Sequence, residues 1–215
     1  MAISSNGLAG LKPGVVDSTA TRPSAPYEGQ VIFQKDTDQL LVWNGTAWVI
    51  PNQTTQNPEG LELIKTQTVG TGVSSVTVTD AFSSTYENYL VTYNGATNTG
   101  GEVVRMQLGA TVTGYYGTMI YAGYGGGAVS IVGDNNAANW THCSGGVNNF
   151  TNLQATIMRP FASAATSISS PYQDGANAGH KTGYLNNSTS YTAFTLLNPS
   201  YTITGGTIRV YGYRN

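Results

Sequence analysis

The chain has 215 residues, of which only 9% are charged, and its nine basic and eleven acidic residues leave a net charge of −2. Lys and Arg form no cluster, which excludes the electrostatic footprint of a nucleic-acid or anionic-membrane binder, and the single cysteine, Cys143, excludes an internal disulfide framework. No run approaches the roughly 18 apolar residues of a membrane span, so no membrane insertion is expected. The 27 glycines and 14 tyrosines favour an all-β protein, because aromatic residues suit strands and glycine suits turns.

The N-terminal segment, residues 1–29, is rich in small residues and contains Pro13, Pro23 and Pro26. It shows neither a helical nor a strand period, so we predict an extended arm that attaches the protein to a partner. Its first residues contain no basic segment followed by an apolar run. We therefore expect synthesis in a cytoplasm without a secretion signal.

A dense strand pattern fills residues 30–51 and predicts a three-stranded β-meander with strands at 30–34, 40–43 and 48–50. Asp36-Thr37-Asp38 separates the first two strands, and Asn44-Gly45, a strong hairpin signal, separates the second from the third. Asp36-Thr37-Asp38 also resembles the start of a calcium loop, but the later glycine and glutamate of that loop are absent, which favours a turn. About twenty residues make a sheet too small to be stable alone. We expect the meander to pack against copies of itself.

Residues 52–60 are polar and proline-bounded, which predicts a linker. The remainder, residues 61–215, alternates apolar and polar residues in roughly ten short strands, the pattern of a sheet with one buried face. The complete prediction is an all-β chain: an N-terminal extended arm and three-stranded meander followed by a jelly-roll-like β-sandwich. The stretches 133–149 and 162–180 are predicted to be loops. The alternating positions are Val76/Val78, Val104/Met106/Leu108, Leu153/Ala155/Ile157, Phe194/Leu196 and Ile208/Val210.

Catalytic and metal chemistry finds little support in the sequence. Neither His142 nor His180 lies near a recognisable nucleophile signature. His142 and Cys143 are adjacent and point to opposite faces of a strand, which favours a core cysteine with a surface histidine over a metal site. Glycoside hydrolysis needs two carboxylates, whereas Asp134 is the sole acid between residues 103 and 173. We predict no catalytic residues, no metal, no cofactor and no enzymatic activity.

Aromatic residues interleaved with glycines make the most promising binding segment. Amphipathic Tyr and Trp rings suit recognition of surface sugars. The candidate receptor-binding residues are Tyr115, Tyr116, Tyr124 and Trp140. For each of them, packing between strands or between subunits stays open as the alternative.

Two segments resemble proteins of tailed bacteriophages. Residues 22–33, followed by 36–49, resemble a module common in phage tail-fibre and virion proteins. Gly114-Tyr115-Tyr116-Gly117 and the ending at 191–197 and 203–214, with its run Gly-Gly-Thr-Ile-Arg-Val-Tyr-Gly-Tyr, resemble the C-terminal β domain of fibre-like proteins of cyanophages and related marine phages. The resemblance implies a homotrimeric virion component with receptor-binding or attachment duties, in which the meander would register the trimer.

These observations predict a tail-fibre or fibre-tip protein of a phage virion that binds the host cell surface through the sandwich. The expected partners are two further copies of the chain, other virion proteins through the arm, and a host surface polysaccharide. One alternative is a capsid decoration or head-fibre protein, and another is a hydrolase of surface glycans.

Overall fold

The computed structural model describes residues 13–51, 60–98, 100, 103–147 and 150–214. These residues form strands and one short 3₁₀ turn at Thr19–Thr21, with no α-helix among them, which confirms the all-β prediction. None of the described elements is a helix long and apolar enough to cross a membrane. The chain divides into two compact units, Met1–Pro58 and Glu59–Asn215, and most of the predicted linker, 52–59, lies outside the described residues.

The first unit contains a four-stranded sheet. Its strands, in spatial order, are β1 (Gly14–Val16), β2 (Val31–Gln34), β3 (Gln39–Trp43) and β4 (Trp48–Val49). The last three are the predicted meander. β1 belongs to the segment predicted as an arm and adds a parallel edge strand beside β2, so residues 13–29 fold back onto the sheet. Residues 1–12 of the predicted arm lie outside the described residues.

Both predicted turns of the meander are present. Asp38 has a positive φ of 51° in the first turn. In the second, the Asn44 side-chain oxygen accepts hydrogen bonds from the backbone N–H groups of Thr46 and Ala47 at 2.9 and 2.8 Å. Gly45 takes φ 92°, while Asn44 stays outside the positive-φ region. The connection is therefore a four-residue loop closed by the Asn44 side chain, not the two-residue turn typical of Asn-Gly.

The two faces of this small sheet differ. One face buries Ile32, Leu41 and Gln34, and Arg22 of the folded-back segment donates to the Gln34 side chain at 2.7 Å. Strand register places only apolar side chains on the opposite face, and each of them is exposed or half-buried. We call this the open apolar face; its residues are Val15, Val31, Phe33, Leu40, Val42 and Val49.

The second unit is a β-sandwich of a ten-stranded and a four-stranded sheet, which confirms the predicted fold class. Its strands are β5 (Leu61–Thr68), β6 (Ser75–Val78), β7 (Asn88–Asn98), β8 (Val104–Leu108), β9 (Tyr115–Gly123), β10 (Ser130–Ala137), β11 (Trp140–Ser144), β12 (Gly146–Val147), β13 (Phe150–Met158), β14 (Thr166–Gln173), β15 (Asn177–Leu185), β16 (Phe194–Leu197), β17 (Ile203–Thr204) and β18 (Thr207–Tyr213). The large sheet has the order β10-β9-β15-β14-β13-β7-β18-β5, with β12 beside β13 and β17 beside β7. The small sheet has the order β11-β8-β16-β6.

The hydrophobic core lies between the two sheets. Most alternating positions found in the sequence supply it, since Val104/Met106/Leu108, Leu153/Ala155/Ile157, Phe194/Leu196 and Ile208/Val210 are all buried. Trp140 and Cys143 of β11 belong to the same core. The large sheet therefore buries one face against the small sheet, while its other face is open.

Two stretches predicted as loops contain strands, so that prediction is wrong. Residues 133–149 contain β11 and most of β10, and residues 162–180 contain β14 and the start of β15. Buried positions of these strands are occupied by Asp134, Ser144, Thr166 and Ser170 in place of aliphatic residues. Without apolar alternation, the strand pattern is invisible in the sequence.

Candidate functional site

The structure separates the four candidate aromatic residues into core and surface. Tyr115 and Trp140 are fully buried, with ring centroids 5.1 Å apart in a T-shaped contact. The Tyr115 hydroxyl accepts the Leu108 backbone N–H at 2.7 Å, and burial raises its pKa. Their selection as receptor-binding residues is wrong, because rings enclosed in the core cannot stack on a ligand at the surface.

Tyr116 and Tyr124 lie on the surface but at different places. Tyr124 is 61% exposed in the turn after β9, whereas Tyr116 is half-buried near the start of β9. The eight residue steps from Tyr116 to Tyr124 correspond to roughly 26 Å along an extended strand, at about 3.3 Å per residue. They therefore cannot contribute to one small binding site.

Tyr116 pairs with a tyrosine that the sequence analysis did not select. Tyr184 of β15 lies directly opposite Tyr116 of β9 in the strand register, on the open face of the large sheet. The two rings are stacked, with centroids 5.3 Å apart and planes 16° from parallel, and Tyr184 remains 44% exposed. Together they form an aromatic pair that stands out from the sheet.

A shallow groove of about 630 Å³ runs beside this pair. Thr118 and Thr182, the next register pair on the same face, are both exposed, and Ser167 of β14 lies beside Tyr184. We call this the outer-face groove; its lining residues are Tyr116, Gly117, Thr118, Asp134, Ser167, Thr182, Gly183 and Tyr184. It combines an aromatic wall with a hydroxyl-rich floor.

Beneath the groove lies a buried ion pair. The Lys181 amine donates to Asp134 Oδ2 at 2.5 Å, with the two side chains 0% and 2% exposed. Thr141 donates to the same carboxylate through its hydroxyl, 2.6 Å from Oδ1, and through its backbone N–H, 3.2 Å from Oδ2. Asp134 is among the residues that line the groove, and its register partner on β9 is Gly117.

Cys143 is buried in the core, and this part of the sequence prediction is confirmed. Its thiol donates to the Trp140 carbonyl at 3.4 Å, and burial raises its pKa to about 12. Such a thiol stays protonated at neutral pH and is a poor nucleophile and metal ligand. The neighbouring His142 is half-buried, with Nδ1 3.0 Å from the Thr141 hydroxyl. The described residues contain no group of three or more His, Cys, Asp or Glu arranged to hold a metal ion.

Comparison of the chain with protein-family models, curated proteins and solved structures finds no match. The groove must therefore be interpreted from its own chemistry. The sequence analysis found Tyr116 through its glycine-flanked pattern but missed Tyr184, Thr118, Thr182 and Ser167. Only the pairing of β15 with β9 on one side and with β14 on the other brings these residues together, and no local signal in the sequence predicts that pairing.

Proposed function

We propose that this chain is a structural protein of a tailed-bacteriophage virion, a tail fibre or fibre tip, and that its outer-face groove binds a polysaccharide of the host cell surface. The observation that carries the binding proposal is the stacked Tyr116–Tyr184 pair beside an open, hydroxyl-lined groove. Tyrosine presents an apolar ring and a polar hydroxyl at a small cost in conformational entropy, which suits the mixed surface of a sugar.

The shape and polarity of the groove favour an extended neutral ligand. Thr118, Thr182 and Ser167 offer hydroxyl groups that both donate and accept hydrogen bonds, as sugar hydroxyls do. The groove is open, so a long chain can lie across it without threading into a cavity. A polymer that contacts several copies of the chain gains avidity even when each site binds weakly.

The carboxylate content of the outer-face groove favours binding over hydrolysis. Glycosidases use two carboxyl groups on either side of the scissile bond. Among the residues that line the groove, Asp134 alone has a carboxylate, and that group is held by Lys181 and Thr141. We therefore propose a non-enzymatic role.

The virion assignment is supported by the fibre-like resemblance of residues 22–49 and 191–214, together with the low charge of the chain. In this proposal the N-terminal segment contacts other virion proteins, and the second unit faces the host. The sandwich then acts as a scaffold that holds the outer-face groove on rigid strands.

The binding proposal predicts the effect of removing the tyrosine pair. Each ring is worth about 1 kcal/mol of contact energy, so the double variant Tyr116→Ala/Tyr184→Ala should bind envelope polysaccharide about 30-fold more weakly. Affinity is measured by biolayer interferometry with the full chain in solution and polysaccharide fractions from candidate host bacteria immobilised. The matched control is Tyr124→Ala/Tyr201→Ala, which removes two exposed tyrosines outside the groove. Equal losses in the two double variants, or none in either, would refute the proposed site.

We propose further that the open apolar face joins copies of the chain into a homotrimer. The first unit is too small to leave one apolar sheet face in water without a partner, and this face contains no charged residue that would repel a second copy. Light scattering should give three times the chain mass of 22.6 kDa. Leu40→Glu, at an exposed leucine of this face, should shift the mass towards that of the monomer, whereas Val112→Glu, at an exposed valine of the second unit, should leave it unchanged. A wild-type monomer at micromolar concentration would contradict the proposal.

A further inference from the structure

The buried pair Asp134–Lys181 connects two strands that are not neighbours in the large sheet. Asp134 lies on β10 and Lys181 on β15, and β9 runs between them. The amine nitrogen and carboxylate oxygen are 2.5 Å apart, and both side chains are almost fully enclosed. An amine and a carboxyl group are thus held in contact away from solvent.

Gly117 of β9 lies along the path of the Lys181 side chain towards Asp134 and leaves space for it. A Cβ atom at Gly117 of β9 would lie 3.0 Å from Cε and 3.1 Å from Nζ of Lys181. A side chain at position 117 would therefore crowd the lysine where it reaches across β9, and glycine leaves that path free. The packed strands themselves bury the Lys181–Asp134 pair.

The carboxyl group is also held from its other side. The Thr141 hydroxyl donates to Oδ1, the Thr141 N–H donates to Oδ2, and His142 Nδ1 lies 3.0 Å from the Thr141 hydroxyl oxygen. Donors placed in this way draw electron density from the carboxyl carbon and can stabilise negative charge on Oδ1. Enclosure and orientation together give two reacting groups a high effective concentration.

An ammonium group has no lone pair with which to attack, and a carboxylate is a poor electrophile. Transfer of one proton from the Lys181 ammonium to the Asp134 carboxylate yields a neutral amine and a carboxylic acid. The amine has a free lone pair, and the acid has an electrophilic carbon. This is the reactive combination for forming an amide.

We propose that Lys181 and Asp134 condense into an intramolecular isopeptide bond. The Nζ lone pair attacks Cγ of the protonated Asp134, and the tetrahedral intermediate places its negative charge on Oδ1, opposite the Thr141 hydroxyl. The Cγ–Oδ2 bond then breaks, and the second proton lost by Nζ leaves with that oxygen as water. The ammonium and carboxylate become one amide and one water, with no oxidant, reductant or other reactant. Asp134 borders the outer-face groove, which provides the exit for the water.

Such a bond covalently ties the edge strand of the ten-stranded sheet to its interior. β10 has a neighbour on one side only, and edge strands are where sheets open or pair with other chains. A link from β10 to β15 across β9 would hold all three strands together even when their hydrogen bonds are broken. This inference stands apart from the proposed glycan binding, and neither requires the other.

The test is the intact mass of the purified full chain under denaturing conditions. We expect a mass lower than the sequence mass by one water, no tryptic cleavage after Lys181, and a branched chymotryptic peptide that joins the segment containing Asp134 to the one containing Lys181. Lys181→Arg and Asp134→Ala should each show the mass of their own sequence. The exposed pair Lys35–Asp17, with a separation of 2.8 Å but both side chains in water, serves as an internal control and should remain unlinked.

A second reaction in this chain would also lower the mass by one water, so the test must distinguish it from isopeptide formation. Asp174-Gly175 can cyclise to a succinimide, which also loses one water. Hydroxylamine cleaves the chain at a succinimide but leaves an isopeptide bond intact. A wild-type mass equal to the sequence mass would overturn the proposal. So would a water loss located at Asp174-Gly175, or a free Lys181 side chain that trypsin recognises. These readouts use the wild-type protein, so they decide the question even if a variant fails to fold.

Discussion

Replacement of Trp140 by alanine is expected to lower the free energy of unfolding by about 3–5 kcal/mol, the usual cost of removing a large aromatic side chain from a packed core. Trp140 is fully buried, contacts the Tyr115 ring edge-on, and lies against Gly183 of the large sheet. Its loss leaves a cavity between the two sheets that neighbouring strands cannot fill. Denaturant unfolding at a constant protein concentration measures the change.

The control for this prediction is Tyr124→Ala, which removes an exposed ring from the turn after β9. Surface substitutions of this kind change stability by about 0.5 kcal/mol or less. If the two variants lost equal stability, or if Trp140→Ala kept its stability while losing ligand binding, Trp140 would be a surface residue and the sandwich packing described above would be wrong.

Replacement of Gly179 by alanine is expected to destabilise the fold by about 1–3 kcal/mol, the range for overpacking a well-packed site. A Cβ atom at Gly179 would collide with the backbone of Ile120 and Tyr121 on β9. Backbone cannot rotate away as a flexible side chain can, so β15 and β9 must separate. The same unfolding measurement reports the loss.

Gly133→Ala is the matched control for Gly179→Ala. Gly133 lies on β10 of the same sheet, but a Cβ atom there would be 3.7 Å from the nearest atom, the Gly117 carbonyl oxygen, which is an ordinary contact. We expect its stability to stay within about 0.5 kcal/mol of the wild type. A Gly179→Ala variant as stable as Gly133→Ala would show that β9 and β15 approach less closely than described.

The sequence predicts those parts of the fold in which apolar residues alternate. Val104/Met106/Leu108 and Leu153/Ala155/Ile157 have one buried face each, and period-two alternation reveals such strands directly. The meander is equally predictable from the sequence, because its strands are short, apolar and separated by turn residues. The strands within 133–149 and 162–180 have polar side chains at buried positions where a core strand usually has aliphatic ones, so their pattern does not predict strands; these residues are Asp134, Ser144, Thr166 and Ser170.

The candidate site was only partly predictable for a related reason. Tyr115 and Tyr116 are adjacent and chemically identical, yet strand geometry sends one into the core and the other to the surface. Composition cannot choose between these two orientations. Tyr184 lies far from Tyr116 in sequence, and the groove exists only because β9 and β15 pair in register.

The central claim, that the outer-face groove binds a host polysaccharide, is tested most directly by a crystal structure of the full chain with an oligosaccharide released from the host envelope. We expect the sugar to lie against the Tyr116–Tyr184 pair and to exchange hydrogen bonds with the hydroxyl groups of Thr118 and Thr182. A sugar bound elsewhere, for example at the Tyr124 turn, would contradict the claim. An empty groove at concentrations that saturate binding in solution would contradict it equally.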